Sequence, residues 1–363
     1  MTDDPSTGGD DALAQHRAAI DALDREILER LSARARHALA IGALKGAGGA
    51  YRPERETQVI SALHARNAGP LPNAAVTGVF REIMSACRAL EQTMRVGYLG
   101  PAGTFSHAAV AKHFGTQVEA VPFPTFDEIF RAVESGQTEY AVVPVENSTE
   151  GAVGRTLDLM CTTDLAVCGE IKLRVQQNLL TNAPDYASVR KVYSHGQSLA
   201  QCVRWLAQHL PGVPRIAVAS NAEAARLAAA EPGAAAIAGE NAGVIYGLAT
   251  LAPHIEDEPN NTTRFLVLGK HDAGPSGRDK TSLIMSAPNR TGALHELLLA
   301  FAHAGVSMSR LESRPARHAL WEYVFYVDID GHRDDPAVKT ALDELASRAA
   351  YLKILGSYPM AVY

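Results

Sequence analysis

Between positions 6 and 52 the chain has no proline, and Leu13, Ile20, Leu23, Ile27, Leu31, Ala38, Ile41 and Leu44 recur at helical spacing. That spacing predicts one helix over residues 11–45, roughly 50 Å long at 1.5 Å per residue. A domain of this size cannot wrap so long an apolar stripe around itself. Pairing with a second copy of the chain is the simplest way to bury it. Gly46, Gly48 and Gly49 end the helix, and Pro53 opens a second that runs to about Asn67. Pro70 and Pro72 break the chain again before a third helix, from about Asn73 to Met94.

The periodicity changes at Arg95. Short β-branched or apolar runs at 96–99, 140–145, 192–193, 216–219 and 265–268 alternate with Ala-rich helical stretches, an α/β signature. A Gly/Pro/Ser-containing stretch over 271–280 reads as a linker. Residues 281–363 then adopt a β-α-β-β-α-β order, the ferredoxin-like α+β arrangement of two helices over an antiparallel sheet. The expected organisation is a tail at 1–10, a helical domain at 11–94, an α/β domain at 95–272, a linker at 273–280 and a small α+β domain at 281–363.

Charge and composition narrow the function classes. With 34 Lys+Arg against 40 Asp+Glu, the net charge is −6, which offers no diffuse basic field for nucleic acid. No apolar run reaches the ~18 residues of a membrane helix. Residues 1–11 lack a basic region followed by an apolar one and read as an acidic tail rather than a signal peptide. Cys87, Cys161, Cys168 and Cys202 form no C-x-x-C pair, so reduced thiols in a cytoplasmic protein are expected. The histidines show no metal-ligand spacing: His295-Glu296 lacks the second His of a zinc helix, and neither metal nor cofactor is expected.

Basic residues interrupt the helical stripe. Arg17, Arg34 and Lys45 share the face of the leucines and isoleucines, and Arg55 does the same on the second helix with Val59 and Leu63. Uncompensated burial of four cations would cost several kcal/mol each, so something anionic must meet them. Asp21, Glu26 or Glu54 could pair with them, or their stems could reach out to water. Four together on facing stripes favour a pocket for a small di-anion, shared between protomers, in which Arg grips carboxylates in a fork and Lys acts as a point charge.

Residues His16, Arg17, Leu23 to Glu26, Arg34, Lys45 and Tyr51 to Glu56 resemble the all-helical chorismate mutase domain, which proteobacteria commonly fuse to prephenate dehydratase. The resemblance implies an intertwined dimer that rearranges chorismate to prephenate without nucleophile, metal or cofactor. It places Arg17 (from the second subunit) and Arg34 on the carboxylates, Arg55 near the ring carboxylate, Lys45 on the ether oxygen and Glu56 on the ring hydroxyl. Cys87 and Glu91 stand where the enterobacterial pattern has Ser and Gln, and Arg52 where it has Asp. An ether oxygen only accepts, so Glu91 must carry a proton to assist Lys45, and mutase activity should fall as pH rises.

Three hydroxyl- and amide-rich stretches flank strands in the middle region: 97–107 with Ser106, 143–151 with Asn147, Ser148 and Thr149, and 260–265 with Thr263, Arg264 and Phe265. Loops and helix starts there aim backbone N–H groups at anions. With residues 194–201, which end in Gln201, they resemble prephenate dehydratase. The implied fold is two α/β lobes around a cleft, as in type II periplasmic binding proteins, and the implied reaction expels CO₂ and the ring hydroxyl. By resemblance Thr263 protonates the departing hydroxyl. Arg264, Phe265, Asn147, Ser148, Thr149, Ser106 and Gln201 bind or orient prephenate.

Gly292, Ala293 and Leu294 at a strand-to-helix turn, with Glu312, Ser313 and Arg314 before Pro315, resemble the ACT regulatory domain. The resemblance implies an L-phenylalanine site at a dimer interface and feedback inhibition. The whole reads as a bifunctional chorismate mutase–prephenate dehydratase, a cytoplasmic homodimer or larger. Two alternatives stay open: the helical domain could serve only dimerisation and regulation, or the chain could be a non-catalytic amino-acid sensor. Arogenate could also replace prephenate as the middle domain's substrate.

Overall fold

A computed structural model describes residues 6–45, 51–288, 290–315 and 323–361, and side chains from residue 10 onward with the exception of Lys45. Three helices come first: α1 (Ser6–Lys45), α2 (Pro53–Arg66) and α3 (Asn73–Glu91). The first begins inside the expected tail, and the third ends three residues before Met94. Pro53 opens α2 with acidic Glu54 and Glu56 in its first turn, favourable at a helix N-terminus. Within one chain α1 touches α3 but leaves its apolar stripe in water: Ile20, Leu23 and Ile27 are 56%, 56% and 54% exposed. The cations do share the stripe, yet the expectation that they point into a core fails for the single chain. Arg17 and Arg55 are exposed, and Arg34 is half-buried.

Tyr51 anchors this helical region to the first α/β lobe. Its ring lies 5.0 Å from Phe114 and 5.1 Å from Tyr140, and its hydroxyl is 2.5 Å from His113 Nε2. It thus belongs to the core of that lobe.

The lobe comprises β1 (Arg95–Leu99), α4 (Phe105–Phe114), β2 (Glu119–Phe123), α5 (Phe126–Ser135), β3 (Tyr140–Asn147), β4 (Gly151–Ala152), α6 (Gly154–Thr162) and β5 (Ala166–Arg174). The chain then crosses to a second lobe. There lie β6 (Asn178–Thr181), β7 (Lys191–His195), α7 (Gly196–Ala200), α8 (Val203–His209), β8 (Arg215–Val218), α9 (Asn221–Ala230), β9 (Ala234–Ala238), α10 (Glu240–Tyr246) and β10 (Ala249–Ala252). It returns as β11 (Thr262–Gly269), which inserts between β3 and β5 to complete the order β2-β1-β3-β11-β5. The second sheet runs β10-β6-β9-β7-β8. Two crossings joined by Val175 N–H donating to Asn261 O at 2.8 Å leave a cleft between the lobes. This is the expected arrangement of two α/β lobes around a cleft.

The C-terminal domain has β12 (Asp279–Ser286), α11 (Ala293–His303), β13 (Met308–Pro315), β14 (Tyr323–Asp330), α12 (Pro336–Arg348) and β15 (Tyr351–Pro359), in the antiparallel order β13-β14-β12-β15. The ferredoxin-like expectation holds, but the linker is shorter than expected. Ala273 is buried, and Asp279 already pairs with Pro359 in the sheet. Its carboxylate accepts from the Ser276 and Gly277 backbone N–H groups at 2.8 and 3.1 Å, which turns a loop-like sequence into a fixed entry to β12. Among the described residues no helix is long and apolar enough to cross a membrane.

Candidate functional site

The cleft between the lobes holds a cavity of about 290 Å³. Register decides what faces it. On β11 Thr263 and Phe265 point into the cleft, and Thr263 sits opposite Asn147 of β3. Asn147 Oδ1 accepts from Thr149 N, Thr149 Oγ1 and Glu150 N at 3.0, 2.6 and 3.1 Å. That turn fixes the amide, so its Nδ2 donates to Asn261 Oδ1 at 2.7 Å and to Thr263 Oγ1 at 2.8 Å. An amide nitrogen can only donate. Thr263 Oγ1 therefore accepts here, and its own proton is left to offer into the cavity.

Ser106 and Gln201 also line the cleft, with Gln177, Ser198, His195 and Asn221. Gln177 Nε2 donates to Ser198 Oγ at 3.0 Å and Gln201 Oε1 at 3.2 Å, and Asn221 Nδ2 donates to Ser198 Oγ at 2.8 Å. Gln177 and Asn221 carry no motif in the sequence and are missed there. The first turns of α4 and α9 border the cavity, capped by Thr104 and Ser220. Among the described lining residues none is Lys or Arg. Negative charge entering this cleft would meet helix N-termini and neutral donors.

Three expected ligands are placed elsewhere. Arg264 is the correction of greatest consequence: strand alternation turns it to the opposite face of β11, where it is buried against Glu170 and Asp328. Ser148 Oγ accepts from Thr262 N at 2.9 Å, and Thr149 closes the Asn147 turn, so both build the loop rather than line the cavity.

In the helical region Arg34 Nη1 donates to Cys87 Sγ at 2.9 Å. One turn on, the Glu91 side chain packs against Gly42 of α1, where an added Cβ would lie 2.6 Å from its Oε2. Beside them an open groove of about 450 Å³ runs between α1 and α3, lined by Leu31, Ala35, Ile83, Ala86, Cys87 and Leu90. The structure thus gathers Arg34, Cys87 and Glu91 and leaves Arg17 and Arg55 at the surface. Arg52 Nη1 lies 3.8 Å from Glu54 Oε1, and the Lys45 side chain falls outside the described ones. Glu56 is bound by Arg88, whose Nη2 also donates to Phe114 O at 2.6 Å. Burial pushes the Glu56 carboxyl up, opposed by Arg88, Arg81 and Arg34. Arg88 is a buried cation missed from the sequence, although it stands one turn after Met84 on the inward face of α3.

Family models match the three regions in turn: chorismate mutase type II over residues 16–92, prephenate dehydratase over 96–273 and the ACT domain over 281–347. The chain is 54% identical to a bifunctional chorismate mutase/prephenate dehydratase of Neisseria gonorrhoeae, over 97% of this chain and 98% of that protein. The chain belongs to that family. A Pseudomonas aeruginosa protein of the same name is 48% identical over 97% of this chain and 99% of its own length. Among solved structures, a prephenate dehydratase from Arthrobacter aurescens in complex with L-Phe superposes with a TM-score of 0.68 at 33% identity, covering 73% of this chain and 90% of that one. This enzyme has both chorismate mutase and prephenate dehydratase activity.

In the ACT domain Gly292 adopts φ +78° at the start of α11, a left-handed conformation that suits glycine, and Ala293 is buried behind it. Leu294 packs on the ACT core. Glu312, Ser313 and Arg314 lie on β13, and Arg314 Nη2 is 3.4 Å from Asp158 Oδ1 of α6. Within one chain this guanidinium is directed to the dehydratase lobe.

Proposed function

We propose that the cleft around Thr263 is the dehydratase site and that the α1–α3 groove, completed by a second copy of the chain, is the mutase site. The observation that carries the first assignment is the Asn147 Nδ2 to Thr263 Oγ1 hydrogen bond. A threonine hydroxyl is a poor acid at its free pKa and needs a polarising neighbour. By donating to the oxygen, Asn147 supplies that polarisation and directs the proton outward. As the C–CO₂ bond of prephenate breaks, its electron pair enters the ring, the ring C–O bond breaks, and the leaving hydroxyl takes the Thr263 proton to depart as water, after which the Thr263 oxygen regains a proton from solvent. Aromatisation provides the driving force. Ser106, Gln201 and the first turns of α4 and α9 would hold the two carboxylates, and Phe265 would floor the site.

The mutase reaction needs only a fold that holds chorismate in a chair and charges that track the breaking ether bond. Arg34, Cys87 and Glu91 supply one wall, and Arg17 of the second copy would supply the missing cation. The exposed α1 stripe supports this homodimer. Glycine-led residues 292–294 and the 312–314 strand would form the L-phenylalanine site, in keeping with the ligand of the Arthrobacter relative. The four unpaired cysteines suit a reducing cytoplasm. Incubating the protein with chorismate, with and without phenylalanine, tests the reading: prephenate then phenylpyruvate should accumulate, and Thr263→Ala should stop at prephenate. Phenylpyruvate formed at the normal rate by Thr263→Ala would refute the assignment.

A further inference from the structure

Behind the cleft, β3 and β11 present a second row of side chains. The register that pairs Thr263 with Asn147 on the cleft face pairs Arg264 with Glu146 on the face that the ACT domain covers. Both residues of this pair, Arg264 buried and Glu146 half-exposed, reach an ACT residue. Arg310 Nε of β13 lies 3.1 Å from Glu146 Oε2. Arg264 donates from Nη1 to Asp328 Oδ2 of β14 at 2.5 Å, from Nη2 to the Tyr358 hydroxyl of β15 at 2.9 Å and from Nε to Glu170 Oε2 at 2.8 Å. Ser282 of β12 closes the ring, its hydroxyl donating to Asp328 Oδ1 and lying 2.5 Å from the Tyr358 hydroxyl. Every nitrogen of the guanidinium is engaged in a nearly dry seam, so its position is fixed as tightly as a side chain can be.

We infer that Arg264 is a positioning residue for the dehydratase: gripped by Asp328 and Tyr358, it lets the ACT domain set the placement of Thr263 from behind its own strand. The inference rests on the reading of Thr263 as the acid. One peptide unit separates the two residues, so a shift of the Arg264 anchor moves the Thr263 hydroxyl relative to Asn147 and to the substrate. Misplacement by about 1 Å is enough to cost up to a hundredfold in rate. Arg264 touches no substrate, so the effect falls on turnover rather than binding. The same contact gives an effector bound to the ACT domain a short route to the reacting atoms.

The test uses the full chain and measures dehydratase kcat and KM for prephenate, mutase kcat and thermal stability. Asp328→Asn and Tyr358→Phe should each lower dehydratase kcat about tenfold with KM within about twofold and mutase kcat unchanged. Because one of these could unfold the seam, the paired variant Arg264→Met with Asp328→Leu removes both charges and leaves Glu170 with Lys280, which lies 3.5 Å away. It should melt near the wild-type temperature and still show the lowered kcat. Wild-type kcat in the paired variant would overturn the inference. So would a parallel fall of kcat, mutase activity and stability in the single variants, which marks a merely structural role. Thr263→Ala is run alongside: retained turnover there would remove the underlying reading itself, whatever the Arg264 variants do.

Discussion

The cleft proposed as the dehydratase site and the groove proposed as the mutase site differ in how much of each one chain supplies. Both lobes of the cleft, its turn-fixed Asn147 and its Thr263 come from a single polypeptide, on strands buried on both faces. The groove between α1 and α3 has one wall, with Arg34 and Cys87 in place and the apolar stripe facing water. Short-period strands bring distant residues together within a chain. A helix of 40 residues, roughly 60 Å long, can bury its stripe only against something equally long. On the proposed assignments the first site is intrinsic to the fold, and the second needs a second copy of the chain to complete it.

The largest expected effect separates the two sites. Thr263→Ala should lower dehydratase kcat on the order of a thousandfold, in the range for loss of a general acid, while chorismate consumption stays at wild type. Asn147→Asp keeps the size of the side chain but replaces a donor with an acceptor, so the Thr263 proton turns inward. Dehydratase kcat should fall roughly a hundredfold. Arg88→Met tests the seam between the two regions: it strands the half-buried Glu56 carboxylate and should destabilise the protein by about 2 kcal/mol, read as an earlier first transition in a thermal melt. In the mutase groove, Glu91→Gln replaces an acceptor with a donor on the wall shared with Arg34 and Cys87, and should raise mutase kcat about fivefold while dehydratase kcat stays unchanged. An unchanged mutase kcat would exclude Glu91 from the ether oxygen.

The smallest effect concerns the ACT seam. Burial works against the Glu170 carboxylate, but Arg264 and Lys280 hold it below its ordinary range. A depressed carboxyl adds stability that is complete above its unfolded value and is lost as pH falls through the folded one. Glu170→Gln should thus melt with a weaker dependence on acid pH than the wild type.

Much of this architecture is legible in the sequence where a local rule applies. Helical spacing marks the three helices and the unpaired stripe, and the 146–149 and 263–265 stretches mark the cleft. The errors have physical causes. Arg264 groups with Thr263 because they adjoin in sequence, although alternation along a strand sends neighbours to opposite faces. Gln177 and Asn221 reach the cleft from the crossing segment and the start of α9, positions fixed only by tertiary structure. Arg88 sits on the third helix, beyond the two whose stripes carry the cations that stand out by spacing. The 273–280 stretch has linker composition, yet the Asp279 carboxylate supplies the partners that its turn needs.

The claim that one site belongs to the chain and the other to the pair is tested most directly by placing charge on the α1 stripe. Leu23→Asp with Ile27→Asp should sediment as a monomer, lose mutase turnover and keep dehydratase turnover, all measured on the same sample. A monodisperse monomer that still converts chorismate at the wild-type rate would contradict the account.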